Sequence, residues 1–337
     1  MKLQATIAAT AGILALLCTG SALRAQSISM AYVVVGNPNN AVDTATDSLY
    51  GSVSYTYEIG EYDVTDSQYC TFLNDVDPSG GNALGLYDST ASDSEYGIAE
   101  NGSTSGSFYT VKSGYASMPV VDETYWDAVR FANWMNNGEG NASTETGSYT
   151  LLGDTPTPSN ASTVTRNAGA TVVIPNENEW YKAAYYDPQL NGDTGGYYTY
   201  ATKSSVQPGN TAGSTGTDEA NYNDGGFTEG SGPNYLTAVG SFLNSKSYYG
   251  TYDQTGDVFD WTETPFDAGG DNVARGGAWN SLGMTPIGSS YRADYGQTTE
   301  NIAVGFRVES VPEPSSLLLI LAGVAGLASM RRKPFRV

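Results

Sequence analysis

The run RGGAWNSLGMTPIGSSYR spans Arg275 to Arg292, near the end of a 337-residue chain. Two adjacent glycines sit between an arginine and an Ala-Trp pair. Glycine is used where the backbone needs angles closed to other residues, or where another segment comes very close. Trp279 supplies a large apolar anchor. From Asn280 onward, Asn, Ser, Thr, Gly and Pro follow with no period of 2 or 3.6, which describes a loop. The stretch reads as a glycine turn, a core tryptophan and a loop laid across the domain like the floor of a site.

Outward from it lie other short apolar runs: LTAVGSF, GDVFDW and NVARGGAW on one side, AVGFRV on the other. These read as short strands separated by turns. Further upstream, residues 55–64, YTYEIGEYDV, alternate like a half-buried strand. Three helices are expected. In TDSQYCTFLNDV, Thr65 and Gln68 form a capping box, and Tyr69, Phe72, Leu73 and Val76 share a face. In DETYWDAVRFANWMNNG, Ala128, Phe131, Ala132 and Met135 share a face, and Gly138 suits the position after the helix. In IPNENEWYKAAYYDP, Asn176 caps, Glu179 completes the box and Pro188 follows the end. Between these lie long polar stretches, 77–117, 138–170 and 187–235. Loops of that length in a compact domain are tied down by ions, tied to one another, or mobile.

Composition narrows the chemistry. The chain has no histidine, so no His-dependent triad and no histidine-held zinc, copper or iron is expected. A metal here would be a hard cation held by oxygen. Of the two cysteines, Cys18 lies in the N-terminal apolar segment, which leaves Cys70 in a helical apolar pattern as a buried structural thiol. Without its two ends the chain carries nine basic against 35 acidic residues, a net charge of −26. Such a body repels nucleic acid, and a solvated, soluble exported surface accounts for the charge as well as cation binding does.

The ends read as addresses. MKLQATIAATAGILALLCTGSALRA, residues 1–25, has a basic start, an apolar run and small residues, with cleavage after Ala22 or Ala25: a secretory signal. At the other end, the uncharged run Leu317–Met330 is 14 residues long, short against the roughly 17–25 of an independent span. Arg331, Arg332 and Lys333 follow it at once, the mark of a stop-transfer segment. Pro312-Glu313-Pro314, the apolar run and the basic end, in that order over 311–337, resemble a PEP-CTERM sorting signal. The resemblance implies export, a transient inner-membrane anchor, processing by an exosortase-type enzyme near the triplet, and delivery to the cell surface, outer envelope or extracellular matrix.

The body, residues 26–310, resembles the formylglycine-generating enzyme, or sulfatase-modifying factor, family. The segments that carry this are YEIGEYDVTDSQYCTFLNDV, PVVDETYWDAVRFANWMNNG, IPNENEWYKAAYYD, YDQTGDVFDWTE, RGGAWNS and GFRV, in order. It implies an α+β fold, a C-type lectin-like variant with little regular secondary structure and long loops. Copper in the oxidising members is held by two cysteines that follow the RGG-aromatic motif. Here the first falls on Ser281 and the second on Pro286 or, with a gap, on Gly288 to Ser290. A hydroxyl is no substitute for thiolate on Cu(I), so neither copper nor the histidine-held iron of another branch is expected. The family's calcium positions map to Asp253, the carbonyls of Gly256 and Val258, and Asp260, with a second set on Asn221 and the Tyr222 carbonyl. Structural calcium is the expected cofactor. Asn280, Ser281, Ser289, Tyr291 and Arg292 form the candidate ligand pocket. Three functions compete: a non-catalytic surface protein that binds extracellular polysaccharide or another matrix component, an enzyme of the same fold with a different chemistry, and a purely structural matrix protein.

Overall fold

A computed structural model of the chain describes residues 27–46, 49–91, 94–101, 107–229 and 234–311. Two four-stranded sheets and three helices make up most of its regular structure. The first sheet runs, in spatial order, Tyr32–Val35, Tyr57–Gly60, Glu309–Ser310, Val172–Val173, all antiparallel. The second runs Ala293–Gly296, Asp271–Arg275, Phe259–Pro265, Val304–Gly305, the last pair parallel. The chain passes from the second sheet to the first through Phe306, Arg307 and Val308, all fully buried.

Each helix begins where its side chains cap it. Helix α1, Asp66–Val76, starts at the Thr65/Gln68 box; α2, Tyr125–Asn136, at a Thr124/Asp127 box; and α3, Glu177–Tyr185, at the Asn176/Glu179 box. These boxes satisfy backbone N–H groups that have no partner inside the helix. The faces of α1 and α2 meet in an aromatic core: the Phe131 ring lies 5.4 Å from each of Phe72, Trp134 and Phe306. Cys70 is buried there, and burial raises its thiol to about 11, which leaves it an inert apolar filler.

The alternating segment 55–64 contracts to the strand Tyr57–Gly60. Residues 236–242, expected as a strand, form no ladder. Their backbone donors are used elsewhere: Thr237 N on Asp257 Oδ1, Val239 N on Ser117 O, and Gly240 N on Asp253 Oδ2. The long loops are tied to the body by polar side chains. On one side of α2, Arg130 donates to Glu145 and to the carbonyls of Thr155 and Pro156. Asn133 holds Thr144 O and Tyr149 N, and Asn137 holds Ser143 O and Thr146 O. An amide that donates to one carbonyl and accepts from one N–H fixes a loop as a short ladder would.

Among the described residues no helix is long and apolar enough to cross a membrane. The signal segment 1–25, the Pro312-Glu313-Pro314 triplet, Leu317–Met330 and the Arg331–Arg332 cluster lie outside the described residues.

Candidate functional site

Arg275 ends one strand and Arg292 precedes its antiparallel neighbour, where Ala274 stands opposite Ala293. The stretch between them is therefore a hairpin loop, and the two end arginines close its neck. Both reach Glu177, the first residue of α3: Arg275 Nε and Nη2 lie 2.9 and 2.5 Å from Oε1, and Arg292 Nε lies 2.8 Å from it. Arg275 Nη1 also donates to the carbonyls of Ser289 and Tyr291. It is fully buried against the Tyr50 ring, 4.7 Å away. Its role is to hold the loop shut.

The loop folds back on itself rather than lining a hollow. A Cβ on Gly277, whose φ is +82°, would lie 2.8 Å from the Ile287 Cα, so only glycine fits. Ile287 is fully buried with Tyr200, Ala220 and Tyr222 and plugs the middle of the loop. The candidate pocket residues fall into two groups with different partners. In the first, Ser281 is buried, its hydroxyl accepting from Ala278 N at 2.9 Å and its carbonyl from Asn223 N at 3.0 Å. Asn280 beside it is exposed. In the second, Ser289, Tyr291 and Arg292 gather around Arg275. Sequence reading missed the loop tip, where Leu282 and Met284 are exposed at 75% and 53%; two apolar residues inside a polar Gly-rich run were the available signal.

Arg292 is the part of this face that is open to a ligand. Its guanidinium stacks over Phe266 at 4.6 Å and near Tyr50 at 5.8 Å. Nε is bound to Glu177, and among the described residues neither terminal nitrogen has a protein partner. Tyr291 next to it is 38% exposed. The Glu177 carboxylate and aromatic faces thus hold an arginine fork in place with its outer edge free.

The acid-rich turn before the second sheet is built differently. Asp253, Gly256 and Asp257 all have positive φ, and Gly256 passes so close to Asn221 that a Cβ would lie 2.2 Å from the Asn221 carbonyl oxygen. Asp260 Oδ2 accepts from Arg307 Nε at 2.8 Å and Trp180 Nε1 at 2.7 Å. Asp257, missed as a participant, accepts from Asn221 Nδ2 and Thr237 N; burial first, then the Asp253 charge, pushes it up to about 8. The Tyr222 carbonyl accepts from Asn210 and Thr228.

Fit to a hard cation rests on what is left over. The carbonyls of Gly256 and Val258 accept no hydrogen bond among the described residues. Asn221 Oδ1 is buried without a partner, and Asp260 Oδ1 receives no N–H donor, although the Asp260 carboxyl lies against that of Asp63. A void of about 10 Å³, room for a single water-sized occupant, is lined by Asp253, Gln254, Glu219 and Thr202 among others, but Gly256, Val258, Asp260 and Asn221 do not border it. Among the described residues no three carboxylates, thiols or imidazoles converge as a metal cluster, so such a site would lean on backbone and amide oxygen, as hard cations accept. A larger cavity, about 250 Å³, lies elsewhere, lined by Met30, Tyr62, Asp63 and Gln68 among others; none of the candidate site residues borders it.

The sulfatase-modifying factor enzyme 1-like domain family matches residues 39–310, and the PEP-CTERM protein-sorting motif matches 310–333. Among solved structures the chain is similar to Treponema denticola variable protein 1, with 17% identity, 86% of this chain and 97% of that one covered, and a TM-score of 0.52. It is similar to CarF at 19% identity, with 84% and 99% covered and a TM-score of 0.52. At these identities the likeness is one of fold. No curated protein sequence matches the chain.

Proposed function

We propose that this chain, which belongs to the sulfatase-modifying factor enzyme 1-like family and carries a PEP-CTERM sorting motif, is an exported, non-catalytic protein that binds an extracellular glycan. The carrying observation is the Arg292 face. A guanidinium stacked on Phe266 and Tyr50 with free outer nitrogens, and Tyr291, its exposed neighbour in the chain, offer an aromatic surface for a sugar ring and a fork for its carboxylate. In support, the position of the family's first copper thiolate is Ser281, whose hydroxyl is spent inside a backbone turn. The test is a glycan array that includes acidic polysaccharides, probed with the exported protein and with Arg292→Met. Retention of acidic glycans by the native protein, weakened at least about tenfold in the variant, is the expected result; a charge-assisted fork worth about 1.5–3 kcal/mol predicts that scale. Absence of binding to every glycan, with and without calcium, would sink the proposal.

Structural calcium belongs to the same proposal. Asp253, the carbonyls of Gly256 and Val258, and Asp260 Oδ1 would hold it, with Asn221 Oδ1 the free oxygen of the second set. Calcium there would supply positive charge to a turn rich in buried acids and fix its shape. Melting with added Ca²⁺ is expected to raise Tm in the native protein, and calcium at about a hundredfold over Kd corresponds to about 2.7 kcal/mol. Asp253→Asn should lose that shift while its calcium-free Tm stays near that of the native chain. A native protein indifferent to calcium would remove the cation from the proposal and leave the glycan face standing.

A further inference from the structure

We infer that the folded body masks its own sorting junction, so that the processing enzyme acts only on chains whose last strand has left the sheet. The inference rests on the reading that the PEP-CTERM tail is processed. The two family matches meet at Ser310 with no linker between them. Ser310 is not at an edge. With Glu309 it forms an inner strand of the first sheet, paired to Ile59 and Glu58 on one side and to Val173 and Val172 on the other. Val311 N still donates to Thr171 O at 3.0 Å, and Val311 packs against the core. The next residues are Pro312, Glu313 and Pro314.

A peptide-cutting enzyme binds its substrate extended and engages backbone groups on both sides of the bond, much as an added strand does. On the amino side of the triplet Glu309 and Ser310 are paired on both flanks and the Val311 N–H is taken, which leaves the Val311 carbonyl as the one group without a partner among the described residues. Glu309 adds a side-chain lock: it is fully buried, with its carboxyl against that of Glu179 and Arg166 Nη1 4.0 Å away. Drawing the strand out breaks both ladders and opens this cluster. Hydrolysis near the triplet breaks one peptide C–N bond and consumes one water, leaving a carboxyl on the body and an amine on the tail. Transfer to an acceptor amine replaces the water. Either outcome needs the strand released first. Because this strand is the last of the body to be made, and pairs with residues about 250 positions earlier, an exported chain passes through a state in which the sheet awaits it. Processing belongs to that state.

Cross-linking tests this. Ser310 and Val172 are direct antiparallel partners, so the double variant Ser310→Cys/Val172→Cys can pin the strand by a disulfide in the oxidising exterior. A second chain carries a flexible Gly/Ser spacer of about eight residues between Val311 and Pro312, with a reach of roughly 15 Å. A third carries both changes. Each is expressed full-length in a host with the processing enzyme, and tail loss is followed by time course on gels. The spacer chain should be processed about tenfold faster than the native one. The pinned chain should stay unprocessed until reductant is added, and the pinned spacer chain should match the spacer chain. Equal rates for native and pinned chains overturn the inference, as does a pinned spacer chain that stalls like the pinned one. If no chain, the spacer chain included, ever loses its tail, the processing reading itself falls, and the inference with it.

Discussion

Replacing Arg307 by Met is expected to cost about 3–5 kcal/mol of stability, the scale for breaking a buried ion pair on one side. Arg307 is fully buried between the two sheets. Its Nε binds Asp260 of the second sheet, its Nη2 binds Asp63 just past a strand of the first, and it donates to the carbonyls of Gly60 and Tyr252. Removing the guanidinium leaves two buried carboxyls with no cation. Burial already pushes Asp63 well above the usual carboxylate range, and Arg307 is the main influence pulling it back. Lysine should not rescue the loss, because one ammonium cannot reproduce a planar fork with bonds in four directions. Urea unfolding of Arg307→Met, Arg307→Lys and the triple variant Arg307→Met/Asp63→Asn/Asp260→Asn is the measurement. The triple variant should recover part of the loss, since the orphaned charges are gone. A cost below about 1 kcal/mol for Arg307→Met would mean that the clamp does not hold the sheets together.

Stability should also fall as pH rises from 5 to 8. Glu309, Glu123 and Asp66 are buried, and burial is the main cause that pushes each well above its usual range; Asp127 is raised to about 7 for the same reason. In the unfolded chain these groups lose their protons near pH 4. The folded chain keeps them, so it binds more protons than the unfolded one across this window. Their contribution is complete below about pH 4 and is lost as pH climbs toward the folded values, by about 1.4 kcal/mol per pH unit for each retained proton. Glu179, held below its usual range by Arg166, works in the opposite sense but only at acidic pH. Lys182, pushed down to about 8 by burial, adds an upward term above that pH. Urea midpoints at several pH values give the slope. Glu309→Gln should flatten it by about one proton and raise stability at pH 8. A flat or rising curve between pH 5 and 8 would contradict the protonated state of these buried acids.

Three helices were legible because their signals are local: Thr65 with Gln68 announces α1 and Asn176 with Glu179 announces α3, each box joining residues three positions apart, while α2 was read from its apolar face and Gly138 and its Thr124/Asp127 box was not. The family, the α+β class and the sorting motif were legible for a similar reason, since ordered short segments carry them. The candidate pocket was only partly so. Ser289, Tyr291 and Arg292 do meet at the loop neck around Arg275 and Glu177, but Ser281 bonds to Ala278 and to Asn223 from a distant loop instead. Residues 236–242 looked like a strand, yet their donors found Asp253, Asp257 and Ser117 before any ladder.

In the opening stretch, the glycine pair, the core tryptophan and the absence of thiols and imidazoles follow from the sequence alone. They settle what the loop is made of and which ligands it lacks. That Arg275 and Arg292 both close on Glu177, that Arg307 joins Asp63 to Asp260 across the sheets, and that Glu309 takes an inner place in its sheet were decided only by tertiary structure. A charge in the interior must have a partner, but which partner depends on segments as many as 247 residues apart being brought together.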